Sequence, residues 1–151
     1  MNVLISSCFL LPTRYDGNMQ TSAEIQQIVD VLKLHNVNII PICPEQLGGL
    51  PTPRPPAEIV GKHVYNVDGK DVSEQFQLGA QRVLSIVKQL DIDFVILKEN
   101  SPSCGVHQIY DGSFSKVKIP GLGITSKHLT EAGIKVYSEV DLLEIKELLC
   151  K

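Results

Sequence analysis

Apolar residues follow two rhythms along this 151-residue chain. Short uninterrupted runs, 2-NVLIS-6, 37-VNIIPI-42 and 94-FVIL-97, are too short for helices and rich in β-branched residues, which predicts buried strands. Between them apolar positions recur at three and four. Ile25, Ile28, Val29 and Leu32 predict a helix capped by Ser22 and running to about His35. Val72, Phe76, Ala80, Val83, Leu84 and Val87 predict a second helix reaching about Leu90, with Asp71 and Glu74 spaced as a capping box.

The remaining pattern is less regular. His63 to Val67 followed by Asp68-Gly69 reads as a short strand and turn, and Val117 to Ile119 as a minor strand. A helix is expected from Ser126 to a stop at Gly133, a fourth buried strand over Ile134 to Tyr137, and a closing helix over Ser138 to Leu149. Strand and helix alternate throughout. The expected fold class is α/β: a single domain over residues 1–151, an open, mostly parallel sheet with helices on both faces, in a Rossmann-like three-layer arrangement.

Charge narrows the partners. Fourteen basic and 17 acidic residues give a formal charge of -3 without long runs of either sign, so no nucleic acid and no membrane surface is recruited electrostatically. The opening MNVLISSCFLLP lacks the basic leader and small-residue cleavage site of a signal peptide, and no apolar run approaches the ~20 residues of a membrane helix. A cytoplasmic protein is expected, in which four cysteines read as metal ligands, reactive thiols or core fillers rather than disulfides. Nothing in the sequence fixes an oligomeric state.

Three of those cysteines share a position. Cys8, Cys43 and Cys104 each follow the carboxyl end of a predicted parallel strand, the edge at which open α/β sheets bind ligands. Cys150, beside the C-terminus, is incidental. Convergent thiolates suit soft metals: zinc, copper(I) or an iron–sulfur cluster. No C-x-x-C pair of a structural zinc site is present, nor the C-x-x-C-x-x-C run of a simple ferredoxin. Single cysteines on three loops fit a pre-shaped pocket that holds a cluster by three corners and leaves a fourth iron open.

Around the thiols stand groups able to move protons and bind polar ligands. Glu45 follows Cys43 by two residues in a proline-rich segment, where a carboxylate can serve as general acid or base. Ser101 and Ser103 flank Cys104 and can either hydrogen-bond a substrate or cap the turn. Arg14 and Arg54 are the cations expected near thiolates or a polar ligand. Tyr15-Asp16-Gly17 after Cys8 is echoed by Tyr110-Asp111-Gly112 after Cys104, so both loops are candidate pocket walls, with Asp16 among the substrate-binding candidates. The segment 121-GLGITSK-127 matches no phosphate-loop pattern, and no nucleotide cofactor is expected.

Several of these blocks also carry a family resemblance. Cys8 with RYDG at 14–17, CPEQLGGLPTPRPP at 43–56, DVSEQFQLGA at 71–80, LKENSPSCG at 97–105, IYDGSF at 109–114 and the late GLGIT resemble a small bacterial family long catalogued as a domain of unknown function and associated with thiouracil desulfurases. The resemblance covers nearly the whole chain. It implies a four-iron four-sulfur cluster ligated by Cys8, Cys43 and Cys104, with Glu45 as the acid–base residue and Ser101 assisting at the substrate. It further implies a small-molecule thiocarbonyl substrate such as 2- or 4-thiouracil, converted to the carbonyl with release of sulfide: the open iron takes the substrate sulfur and Glu45 activates water. A site of this kind is expected to be oxygen-sensitive. The alternative from a different class is a non-catalytic module in which the thiols hold zinc or sense redox state.

Overall fold

A computed structural model describes all 151 residues. Four strands form the central sheet: β1 (Asn2–Ser6), β2 (Asn38–Ile42), β5 (Phe94–Leu97) and β8 (Val136–Ser138). They lie in the order β2-β1-β5-β8, all parallel. The two inner strands are the most apolar, and Val3, Leu4, Ile5 and all of β5 are buried. β2 is an edge strand with Pro41 in its middle, tolerated there because the missing N–H interrupts no second ladder.

Side chains alternate across the sheet and so build two cores. On one face Val3, Ile5, Phe94 and Ile96 pack under α1 (Ala23–Leu34) and α5 (Leu142–Leu149). On the other, Leu4, Val95 and Leu97 pack under α3 (Ser73–Gln89) and α4 (Ile124–Glu131). The three-layer α/β arrangement expected from the alternation is the one observed. No helix is long and apolar enough to cross a membrane.

Topology fixes where a ligand can sit. The chain leaves β1 through α1 towards β2 on one side, whereas it leaves β5 through α4 towards β8 on the other. Adjacent strands whose connections diverge open a crevice beyond their carboxyl ends. Cys8 follows β1, Cys43 follows the neighbouring β2, and Cys104 lies in the loop after β5.

The α1 boundaries match expectation: Ser22 Oγ accepts the Ile25 amide at 3.2 Å, and His35 closes the helix. Other boundaries shift for identifiable reasons. The capping box at Asp71 does not form, because Asp71 pairs in extended geometry with Tyr65 and its carboxylate takes the Ser73 amide and the His63 ring; α3 therefore starts at Ser73. Helix α4 starts two residues before Ser126, because the carbonyls of Pro102 and Ser103 accept the Ile124 and Thr125 amides. Ser138 belongs to β8, paired with Leu97, and α5 begins at Leu142 after a turn in which Asp141 accepts the Ser138 amide.

Two antiparallel hairpins lie outside the sheet: β3 (Ala57–Val60) with β4 (His63–Asn66), and β6 (Gln108–Tyr110) with β7 (Lys118–Pro120). Their second strands β4 and β7 correspond to predicted strands; β3 and β6 have no counterpart in the pattern. A one-turn helix, α2 (Pro44–Leu47), starts immediately after Cys43 with Pro44 at its first position, where its ring preorganises the turn. Helix α2 lies against α3 so closely that a methyl group at Gly79 would collide with the Pro44 carbonyl, and one at Gly48 with that of Gln75. This contact seats the Cys43–Glu45 corner.

Candidate functional site

The three strand-end thiols open onto one cavity of about 600 Å³ at the carboxyl edge of the sheet. Cys104 is buried, Cys8 and Cys43 are half-buried, and none is in a disulfide. Burial pushes the thiols of Cys8 and Cys104 up to about 12; each neighbouring thiol adds to the effect, Cys43 and Cys104 on Cys8, and Cys43 on Cys104. Burial also raises Cys43, against the amide of Gln46 and the Arg54 guanidinium. The sulfurs therefore sense one another's charge. Yet no three His, Cys, Asp or Glu side chains gather closely enough to hold one metal ion. Thiols spread around a shared cavity suit a multinuclear group better than a single zinc.

Each sulfur has a separate mount. Cys8 sits in a 3-10 turn over Ser7–Phe9, and the following loop folds back so that the Gln20 amide reaches the Cys8 carbonyl at 2.7 Å. Cys43 is the residue before α2. Cys104 rides on the turn 101-SPSC-104, in which Ser101 Oγ accepts the amides of Ser103 (3.2 Å) and Cys104 (3.1 Å). Ser101 thus caps the turn, one of the two roles open to it from sequence. Behind this turn stands α4: Ser103 accepts the Thr125 and Ser126 amides, and Ser126 Oγ donates to the Cys104 carbonyl at 2.9 Å. The GLGIT segment is thereby explained as a helix start built onto the cysteine loop.

One carboxylate joins two of the mounts. Glu45 Oε2 accepts Ser103 Oγ at 2.8 Å and Oε1 accepts Arg54 Nε at 2.9 Å. Ser103 Oγ in turn lies 3.0 Å from Ser101 Oγ and 3.5 Å from Cys104 Sγ. A continuous chain of hydrogen bonds runs from Ser101 through Ser103 to Glu45 along the cavity wall. Arg54 is only 8% exposed and uses its other donors on Thr52 Oγ1, the carbonyls of Pro51 and Thr13, and Cys43 Sγ at 3.7 Å.

All the predicted site residues except Asp16 line this cavity. Arg14 reaches it with its ring-stacked guanidinium 4.8 Å from the Tyr15 ring centroid, while its Nη1 pairs with Asp16 at 2.8 Å. Asp16 turns outward to Arg14 and the Asn18 amide, so it steadies the first loop from outside the cavity. Of the two echoed tripeptides, Tyr15 and Tyr110 reach the wall and both aspartates point away.

Sequence reasoning passed over four charged residues here. Lys98, Glu99, Glu58 and Lys116 all line the cavity. Burial favours the protonated form of Glu99, but the Gln108, His107 and Val106 amides donate to its Oε1 at 2.7 to 2.9 Å and hold it below the usual carboxylate range. Lys98 Nζ lies 3.4 Å from Glu139, whose carboxylate also accepts the Glu99 amide. Lys98 and Glu99 sit at the end of β5 inside the LKENSPSCG block, which was a usable signal; Glu58 had none.

Comparison with known proteins agrees with this geometry. The family model described as 2-thiouracil desulfurase matches residues 3–141. This chain belongs to the 2-thiouracil desulfurase family. Among the relatives of this desulfurase-family chain, the uncharacterized protein YbbK of Bacillus subtilis (strain 168) is 41% identical over 154 residues, covering 95% of this chain and 99% of YbbK. A solved structure described as the [4Fe-4S]-dependent thiouracil desulfidase TudS is also 41% identical; it superposes with a TM-score of 0.88 over 99% of this chain and 97% of that one.

Proposed function

We propose that this desulfurase-family chain hydrolyses a thiocarbonyl of the thiouracil class to the carbonyl and sulfide, with a [4Fe-4S] cluster held by Cys8, Cys43 and Cys104. The observation that carries the reading is the opening of three thiols, mounted on three loops, onto one cavity beside the Glu45 carboxylate. It is supported by the family match and by the TudS likeness. Bound at the three thiolates, the cluster supplies a soft Lewis acid matched to a thiocarbonyl sulfur.

The protein's own groups supply position and proton transfer. Water adds to the thiocarbonyl carbon as Glu45 takes one of its protons. The carbon–sulfur bond then breaks, oxygen stays on carbon, and sulfur leaves as sulfide with the protons that water brought. No electron is transferred. Arg54 holds Glu45 Oε1, so the oxygen facing Ser103 is the one left to exchange protons. Ser103, donating to Glu45, keeps a lone pair for the polar edge of the substrate, and Ser101 assists by donating to Ser103 while it caps the turn. Arg14 faces the polar end of the substrate at the cavity wall.

The test is anaerobic reconstitution with iron and sulfide, followed by sulfide release from 2- and 4-thiouracil. The wild type is expected to turn brown and release sulfide, Cys43→Ala to lose the iron absorbance, and Glu45→Gln to keep the absorbance while turnover falls about 10²-fold or more. Absence of visible absorbance in the reconstituted wild type sinks the cluster assignment. Equal turnover by Glu45→Gln removes Glu45 from the reaction.

A further inference from the structure

The tip of the β6–β7 hairpin is held in an unfavourable backbone conformation. Gly112, Phe114 and Lys116 all take positive φ, at 91°, 58° and 64°. Glycine adopts this region freely, whereas a phenylalanine does so only where its surroundings enforce it. Gly112 is needed for a second reason, because a Cβ there would stand 2.6 Å from the Ile59 carbonyl oxygen on β3.

The enforcing group is identifiable. Glu58, on β3 and only 9% exposed, accepts the Gly112 amide at 3.0 Å and the Phe114 amide at 3.2 Å through the same carboxylate oxygen. Asp111 Oδ1 accepts the Ser113 amide between them. A buried carboxylate of one hairpin thus clamps the strained tip of the other. What the clamp achieves is the placement of Phe114 on the wall of the cavity that contains the thiols.

Phe114 is the exception among its kind. The other three phenylalanines, Phe9, Phe76 and Phe94, are at most 3% exposed and belong to the cores. Phe114 is half-exposed and packs into no core cluster. An aromatic ring held at the cavity wall by imposed backbone strain fits one kind of ligand surface, the flat face of a heteroaromatic ring.

We infer that Phe114 is the stacking wall for the planar ring of the substrate, and that Glu58 is the positioning residue that holds it there. The inference deepens the proposed function and rests on it for the identity of the ring. It assigns a binding role, so loss of Phe114 weakens substrate capture and leaves the reacting groups in place.

The test uses the reconstituted protein kept anaerobic. Phe114→Ala is expected to raise KM for thiouracil about tenfold, the size of effect alanine causes at base-stacking aromatics, with kcat within about threefold. Glu58→Ala is expected to raise KM similarly, and Glu58→Gln, which keeps an acceptor oxygen, to restore most of it. The chain has no tryptophan, so Phe114→Trp introduces a single indole at the wall. Its fluorescence is expected to be quenched saturably by uracil, whereas Leu143→Trp, on an exposed face of α5, is expected to respond only to light absorption by the additive.

An unchanged KM in Phe114→Ala, or a fall in kcat alone, overturns the stacking role. So does an unquenched indole at position 114. A KM in Glu58→Gln as high as in Glu58→Ala overturns the positioning role. If the wild type releases no sulfide, the proposed function fails by itself, and the uracil titration of Phe114→Trp still decides the wall.

Discussion

Arg54 commits all five of its guanidinium donors to protein atoms in one proline-rich segment and the first cysteine loop. Its planar fork does what a lysine cannot, since one ammonium on a flexible stem reaches at most a few of those acceptors. Arg54→Lys is therefore expected to lower the stability of the cluster-free protein by about 2 kcal/mol or more, read by urea denaturation, and to reduce turnover by freeing Glu45. A change of less than about 0.5 kcal/mol sinks this view of Arg54. At this scale the thiols and Glu45 were legible because each follows a strand end. The turn-cap role of Ser101 was one of two the sequence left open, and the outward turn of Asp16 is set by its neighbours Arg14 and Asn18. Glu58 as a clamp was not legible, because its partners Gly112 and Phe114 lie more than 50 residues away.

Elements show the same division. Helices α1 and α3 were readable from periodicity, and β5 from its unbroken apolar run. Where tertiary hydrogen bonds set a boundary, local pattern failed, as at α4, whose first amides are capped by the Cys104 loop rather than by its own serine. One contact between elements titrates. His107, at the entry to β6, places Nε2 2.9 Å from both carboxylate oxygens of Asp141, at the start of α5. The Asp141 hydrogen bond is the leading cause that raises the imidazole above its ordinary 6.5, against partial burial. A raised folded value means that the stabilisation is complete below about pH 6.5 and lost as pH climbs through that raised value. The thermal midpoint is expected to fall from about pH 6 towards pH 8, and His107→Gln to flatten that part of the profile. A wild-type profile as flat as the variant's counts against the pair.

For the whole molecule, the parallel sheet and its two helix layers followed from the alternation of strand and helix. Of the hairpins only β4 and β7 were legible; β3 follows a proline-rich run and β6 the cysteine loop, and neither short stretch carries a clear apolar alternation. The site depends on the sheet as a unit, since its thiols follow β1, its neighbour β2 and its other neighbour β5. A group that ties the three loops binds the folded state alone and stabilises it by linkage. Anaerobic reconstitution is expected to raise the thermal midpoint of the wild type and leave that of Cys43→Ala unchanged. An equal rise in both places the added iron elsewhere.

Both hairpins stand apart from the central sheet, and neither carries a thiol or Glu45. The molecule is in this sense two parts on one chain, a floor of parallel strands whose ends carry the thiols and a roof of hairpins that lines the same cavity. Residues 57–66 and 108–120 contribute no strand to the floor, and they are tied to it at few points, such as Val64 against Phe76 and the Gln108 amide on Glu99. Varying the hairpin tip around Phe114, which carries no cysteine and no Glu45, is a route to altered specificity.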